Sequence, residues 1–143
     1  METALAEARA AAARGEVPVG AVLVDGTGRI VARAGNQTRE LNDPSAHAEM
    51  LVIREGCRAT QSERLTGYDL YVTLEPCTMC AAAISFARIR RLYFGAEDEK
   101  GGAVVNGVRF FDQPTCHHAP EVYGGIDEKR AGELLKGFFR DRR

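Results

Sequence analysis

The stretch Tyr68–Leu74 restricts the fold most, because past Asp69 it is almost wholly apolar. A strand of that kind is buried on both faces, so helices must cover it above and below. Upstream, Val17–Asp25 is rich in β-branched residues, with small Gly20 and Ala21, and reads as a second buried strand. Asp25-Gly26-Thr27-Gly28 is turn chemistry, and Arg29–Ala34 follows it as the other arm of a hairpin. Downstream come a short helix over Cys77–Ala87, a strand at Arg91–Phe94 and a brief fifth strand at Glu121–Tyr123. The remaining helices are predicted over 2–14, ending at Gly15, over Ala46–Arg58 with Ser45 as cap, and over Asp127–Arg143. The last is amphipathic, with Leu134, Leu135, Phe138 and Phe139 at helical spacing. Residues 35–44 and 95–107 read as loops. A hairpin followed by strand–helix alternation implies an α/β fold with a mixed sheet between helices.

No linker, repeat or low-complexity tract interrupts the 143 residues, so one domain over 1–143 is expected. The 45% hydrophobic and 27% charged content is that of a globular chain that buries a core without disulfide staples. No apolar run reaches the length of a membrane span, so no membrane partner is expected. The Ala-rich opening Met1–Ala13 contains Glu2, Glu7 and Arg9, which argues against a secretory signal and makes the cytoplasm the expected compartment. In that reducing setting the close pair Cys77 and Cys80 reads as metal-binding or redox-active. A formal net charge of −1 exerts no global pull on a polyanion, so nucleic acid would need a local basic surface. The last predicted helix offers one in Lys129, Arg130, Lys136, Arg140, Arg142 and Arg143, although a solvated charged face explains the same residues.

Two short motifs carry the chemistry: His47-Ala48-Glu49 and Pro76-Cys77-Thr78-Met79-Cys80. Cys77 and Cys80 are three residues apart, so on one helical turn they face the same way and can share an ion. Zinc accepts thiolate and imidazole, and Cys₂His is a known three-ligand catalytic set. Two thiolates neutralise Zn²⁺, and a helix N-terminus favours the thiolate form. A fourth position is then open to water, which zinc acidifies. Glu49, two residues beyond His47, is placed to move that water's protons.

Other readings of the same residues stand beside this one. A closed structural zinc site would recruit a fourth ligand from Cys116, His117 or His118, making the chain a non-catalytic interaction module. A redox Cys-x-x-Cys motif would use the cysteines alone, and His47 by itself could be a satisfied core histidine. Their combination with Glu49 favours the open catalytic site.

The two motifs, with Leu74-Glu75 preceding the second, resemble the cytidine-deaminase superfamily, whose His-x-Glu…Pro-Cys-x-x-Cys signature belongs to zinc deaminases. The likeness extends to Glu16-Val17-Pro18-Val19-Gly20-Ala21-Val22, to Asn42–Glu49, to Phe94-Gly95-Ala96 and to Phe138-Phe139-Arg140. It points to the branch that acts on tRNA. The resemblance implies a three-layer α/β/α sandwich with a mixed five-stranded sheet, a homodimer and one Zn²⁺ per subunit. It also implies conversion of the wobble adenosine of a tRNA anticodon loop to inosine. Carried over by position, His47, Cys77 and Cys80 bind zinc and Glu49 is the general acid/base. Asn36 hydrogen-bonds the flipped purine, Val17 and Pro18 line its pocket, and Ala48 offers backbone contacts. Taken alone, Asn36 reads equally as a turn former beside Gly35. The same metal site would serve a deaminase of free bases or nucleosides, such as guanine or cytosine. The acidic run Glu97-Asp98-Glu99 and Phe86, at a position where relatives place histidine, depart from the pattern and bear on substrate grip.

Overall fold

The computed structural model describes residues 1–142. The predicted order of elements is present: α1 (Glu2–Ala13), β1 (Gly20–Val24), β2 (Ile30–Gly35), α2 (Ala48–Thr60), β3 (Asp69–Leu74), α3 (Thr78–Phe86), β4 (Arg91–Ala96), β5 (Glu121–Tyr123) and α4 (Glu128–Asp141). A 3₁₀ turn at Phe110–Asp112, absent from the sequence reading, packs against α3. The strands form one sheet in the order β2-β1-β3-β4-β5. The hairpin β1–β2 and the pair β1–β3 are antiparallel, whereas β3–β4 and β4–β5 are parallel. The sheet is therefore mixed. Helices α1 and α4 touch each other and cover one face, and α2 and α3 cover the other.

Side-chain size sets how closely these layers meet. Gly20 lies so near α1 that a Cβ there would stand 2.0 Å from the Ala4 carbonyl oxygen. Leu23, on the same strand but the other face of the sheet, faces α2, where a Cβ on Gly56 would meet it at 2.3 Å. The core between the sheet and α2/α3 holds Leu23, Val52, Leu70, Val72, Ile84, Leu92 and Phe94, all buried. Across β3–β4–β5 on the α1/α4 face, Tyr71, Tyr93 and Tyr123 stack in register, with ring centroids 4.4 and 5.1 Å apart.

Several boundaries differ from the sequence reading, for physical reasons. The first strand begins at Gly20 instead of Val17, because Pro18 has no N–H for a ladder and the Val19 N–H turns back to the Val17 carbonyl at 2.8 Å. Ser45 does not cap α2. Its hydroxyl and its backbone N–H both bond Asp43 Oδ1, at 2.7 and 2.8 Å, and the helix starts after His47 instead. At the other end α2 runs on to Thr60, where Gln61 stops it in the left-handed region at φ 53°.

On α4 only part of the apolar stripe is covered. Leu135 packs on the core, whereas Phe139 is 51% exposed. Of the basic residues on this helix, Arg130 pairs with Glu2 and Arg142 lies over the Phe138 ring at 3.9 Å. Arg143 lies outside the described residues. Among the described residues no helix is long and apolar enough to cross a membrane.

The topology places one end of the sheet apart from the rest. The carboxyl ends of β2, β3 and β4 lie there beside the amino end of antiparallel β1, and α2 and α3 start from the same end. Carboxyl ends of parallel strands are where α/β sheets open clefts to ligands.

Candidate active site

A cleft of about 350 Å³ opens at that end of the sheet. Val17 and Val19, just before β1, form part of its wall, with Asn36 and Thr38 from the segment after β2. His47 and Glu49 enter from the start of α2, Leu74, Glu75 and Cys77 from the β3–α3 connection, and Asp98 and Gly101 from the loop after β4. Five of the expected site residues, Val17, Asn36, His47, Glu49 and Cys77, line this cleft. Pro18 does not line it. It is buried, and Val19 stands in the wall instead.

His47 and Cys77 are the N-caps of α2 and α3, so two helix N-termini converge on one point. Cys80, one turn into α3, is fully buried and faces the same way. The donor atoms of His47, Cys77 and Cys80 all lie within 4.8 Å of one another. His47 Nδ1 is 3.6 Å from Cys77 Sγ and 3.5 Å from Cys80 Sγ. Tetrahedral zinc, with bonds of about 2.3 Å to sulfur and 2.0–2.1 Å to nitrogen, requires an S···N edge of roughly 3.6 Å. The donors fit the ion.

The electrostatics point the same way. Hydrogen bonds from Cys80 and His47 hold the Cys77 thiol down at about 4 against the opposing effect of burial. Cys80, hydrogen-bonded to Cys77 and buried, is pushed well above the usual thiol range. Contact with Cys77 raises His47, opposed by burial and aided by the Glu49 charge. Three donors crowd electron density into one point, which a divalent cation relieves.

Glu49 is 3% exposed, and burial raises its carboxyl to about 7. Its Oε1 is the one buried side-chain polar atom among the described residues without a hydrogen-bond partner. Orphaned buried oxygens are rare away from sites of function. A carboxyl titrating near neutrality can both take and return a proton.

Asn36 is fixed by two main-chain contacts. Its N–H donates to the Val19 carbonyl at 3.0 Å, and its Oδ1 accepts the Ala48 N–H at 2.8 Å. That second bond commits the Ala48 N–H to the protein and leaves the Asn36 amide NH₂ without a partner among the described residues, on the cleft wall. The site therefore presents a donor here.

The ligands proposed for a closed zinc site lie elsewhere. Cys116 Sγ is 3.5 Å from Ser85 Oγ and 3.2 Å from the His118 carbonyl, and His118 Nε2 is 2.7 Å from the Ile89 carbonyl. Among the described residues the metal-ligating cluster has three members.

Residues 1–96 match the family described as the cytidine and deoxycytidylate deaminase zinc-binding region. The chain belongs to that family. It is a zinc deaminase with one metal site per chain and the α/β fold of that family. It is 68% identical, over 143 residues covering all of this chain and 93% of the relative, to a protein of Agrobacterium fabrum named tRNA-specific adenosine deaminase. A protein of the same name from Rickettsia bellii is 48% identical, over 98% of this chain and 97% of its own. A structure solved in work on A-to-I editing by tRNA:A34 deaminases superposes with a TM-score of 0.93 at 70% identity, covering 94% of this chain and 97% of that one.

Sequence reasoning missed two buried acids that tether loops of this deaminase. Glu16 and Glu75 entered it only as letters of a matching motif, yet both are buried, at 1% and 2% exposure. Glu75 accepts five hydrogen bonds from residues 98–106. A signal was available: each is an acid set against an apolar run, Glu16 before Val17 and Glu75 after Leu74.

Proposed function

We infer that this deaminase converts adenosine to inosine at the wobble position of a tRNA anticodon, as a cytoplasmic homodimer with one deaminase domain spanning residues 1–143. The observation that carries the chemistry is the orphaned Glu49 Oε1, buried beside His47, Cys77 and Cys80 in an open cleft. The substrate follows from relatives named for tRNA adenosine, one of them 68% identical across the whole chain.

His47 Nδ1, Cys77 Sγ and Cys80 Sγ are the zinc ligands. Held by these three side chains, a zinc ion would supply the acidity that activates a water for attack. Glu49 would take a proton from the water whose oxygen bonds to C6 of the adenine, and would pass that proton to N1. It then carries the second proton to the departing amine, so that ammonia leaves and the 6-oxo purine remains. The amide NH₂ of Asn36 donates to an acceptor on the purine edge and fixes which face meets Glu49. Val17 and Val19 supply apolar wall, and Ala48 fixes Asn36 through its N–H. An anticodon loop suits such a site, because extruding a base from a single strand costs less than opening a duplex. The dimer is supported by the uncovered side of α3, where Phe86 is 70% exposed beside Ile53 and Ala83.

Inosine formation decides the substrate. Zinc-loaded protein is incubated with an anticodon stem-loop RNA carrying adenosine at the wobble position, and in parallel with free adenosine, guanine and cytosine. Inosine is expected in the RNA alone. Turnover confined to the free bases would replace this reading with that of a base or nucleoside deaminase.

A further inference from the structure

Glu75 and Glu16 have no cationic partner among the described residues, although each carboxylate is buried. Their charge is met by backbone N–H groups instead. Glu75 Oε2 accepts from three consecutive amides, Val104, Val105 and Asn106, at 3.0, 2.9 and 3.0 Å. Its Oε1 accepts from the Asp98 N–H at 2.9 Å and from Asn106 Nδ2 at 2.7 Å. Glu16 does the same for a second segment. Its Oε2 accepts the Glu40 N–H at 2.8 Å, and its Oε1 the Arg39 N–H at 3.2 Å and the Thr38 hydroxyl at 3.4 Å.

Both tethered segments, 37–40 and 98–106, lack helix and strand, and both line the cleft, through Thr38 and through Asp98 and Gly101. A surface loop of this kind normally has several arrangements of similar free energy. A buried carboxylate whose lone pairs are shared among adjacent N–H donors singles out one of them, since any other leaves the charge unsolvated. The fit is close at Gly102, where a Cβ would lie 2.4 Å from Glu75 Cδ.

We propose that Glu16 and Glu75 are a pair of positioning residues, each holding one stretch of the cleft wall in the shape that grips the substrate base. Neither is a catalytic residue, because each acts through the backbone it tethers. The proposal rests on the deaminase reading above and extends it to what determines substrate grip. Such walls contact the base alike in the ground and transition states, so their loss falls on KM more than on kcat.

The test uses E16Q and E75Q, which keep side-chain shape but replace one acceptor oxygen by an NH₂ that opposes the N–H donors. Zinc content, kcat and KM on the anticodon stem-loop, and amide hydrogen exchange are measured on the full chain. Each variant is expected to keep one zinc per chain, to lose about 10- to 100-fold in kcat/KM chiefly through KM, and to exchange faster only in its own segment. Because Glu75 stands two residues from Cys77, N106A serves as a second variant. It removes one donor from a residue remote in sequence from the metal ligands and is expected to raise KM in the same direction by less. Unchanged KM, loss of zinc in E16Q and N106A, or faster exchange throughout the sheet would each overturn the proposal. Exchange and zinc content need no substrate. If wild-type protein makes no inosine in the RNA, the substrate reading fails, and segment-specific exchange still decides whether the carboxylates hold their loops.

Discussion

At the metal side of the cleft, His47, Cys77 and Cys80 sit at the N-termini of two helices, where the cap and first turn set their positions. Around the remaining wall, segments 37–40 and 98–106 have no regular backbone and take their shape from hydrogen bonds to Glu16 and Glu75. A helix start fixes a ligand through neighbours in sequence. A tethered loop is fixed through a carboxylate more than twenty residues away in the chain. The first arrangement should therefore fail all at once and the second by degrees.

Breaking the metal side gives the largest effect. Replacing Cys80 by Ala removes one of two thiolates, and both zinc and turnover are expected to fall to background in metal analysis and an inosine assay. Retained zinc with full activity would show that the two-helix triangle is not the metal site. Glu49→Ala separates metal from proton transfer. Zinc is expected to remain while kcat drops by about 10²- to 10⁴-fold, and full activity would remove Glu49 from its role.

The contrast also explains what the sequence reveals. The metal motif is local: the Cys77–Cys80 spacing and the His47–Glu49 spacing are visible in a few letters, and their helices follow from ordinary propensity. The sheet was equally accessible, because buried strands such as β3 are apolar and the Asp25–Gly28 turn marks the hairpin. Boundaries were less so wherever a side chain chose a local partner. Ser45 is a good cap by type, but Asp43 captures it, and His47 takes the N-cap position of α2 as a result. The loop tethers were invisible for the opposite reason. Nothing near Glu75 in sequence announces that Val104, Val105 and Asn106 will donate to it, since that pairing exists only after β4 has been laid beside β3. Asn36 lies between these cases. Its identity was readable, but which half of its amide faces the cleft depends on the Ala48 N–H.

Smaller perturbations sharpen the loop side. Gly102→Ala forces a methyl group against Glu75 and the Asp98 carbonyl, and a loss of about 1–3 kcal/mol is expected in denaturant unfolding. Zinc content should not change. An undiminished midpoint would mean that the loop yields freely.

The smallest effect is on pH. Burial works to raise the Glu75 carboxyl, but the N–H groups of Asp98, Val104 and Asn106 and the Asn106 amide outweigh it, and the group is held below its ordinary value. The folded state thus binds this proton less readily than the unfolded state, where a glutamate titrates near about 4.3. The contribution of Glu75 to stability is complete above that pH and is lost as pH falls through the lower folded value. The stability gap between wild type and E75Q should close on acidification, and a constant gap would contradict the carboxylate's role.

X-ray absorption at the zinc edge of substrate-free, freshly isolated protein reads the coordination sphere itself. The account predicts two sulfur neighbours, one imidazole nitrogen and one light atom from solvent. A third sulfur or a second imidazole in that sphere would contradict it.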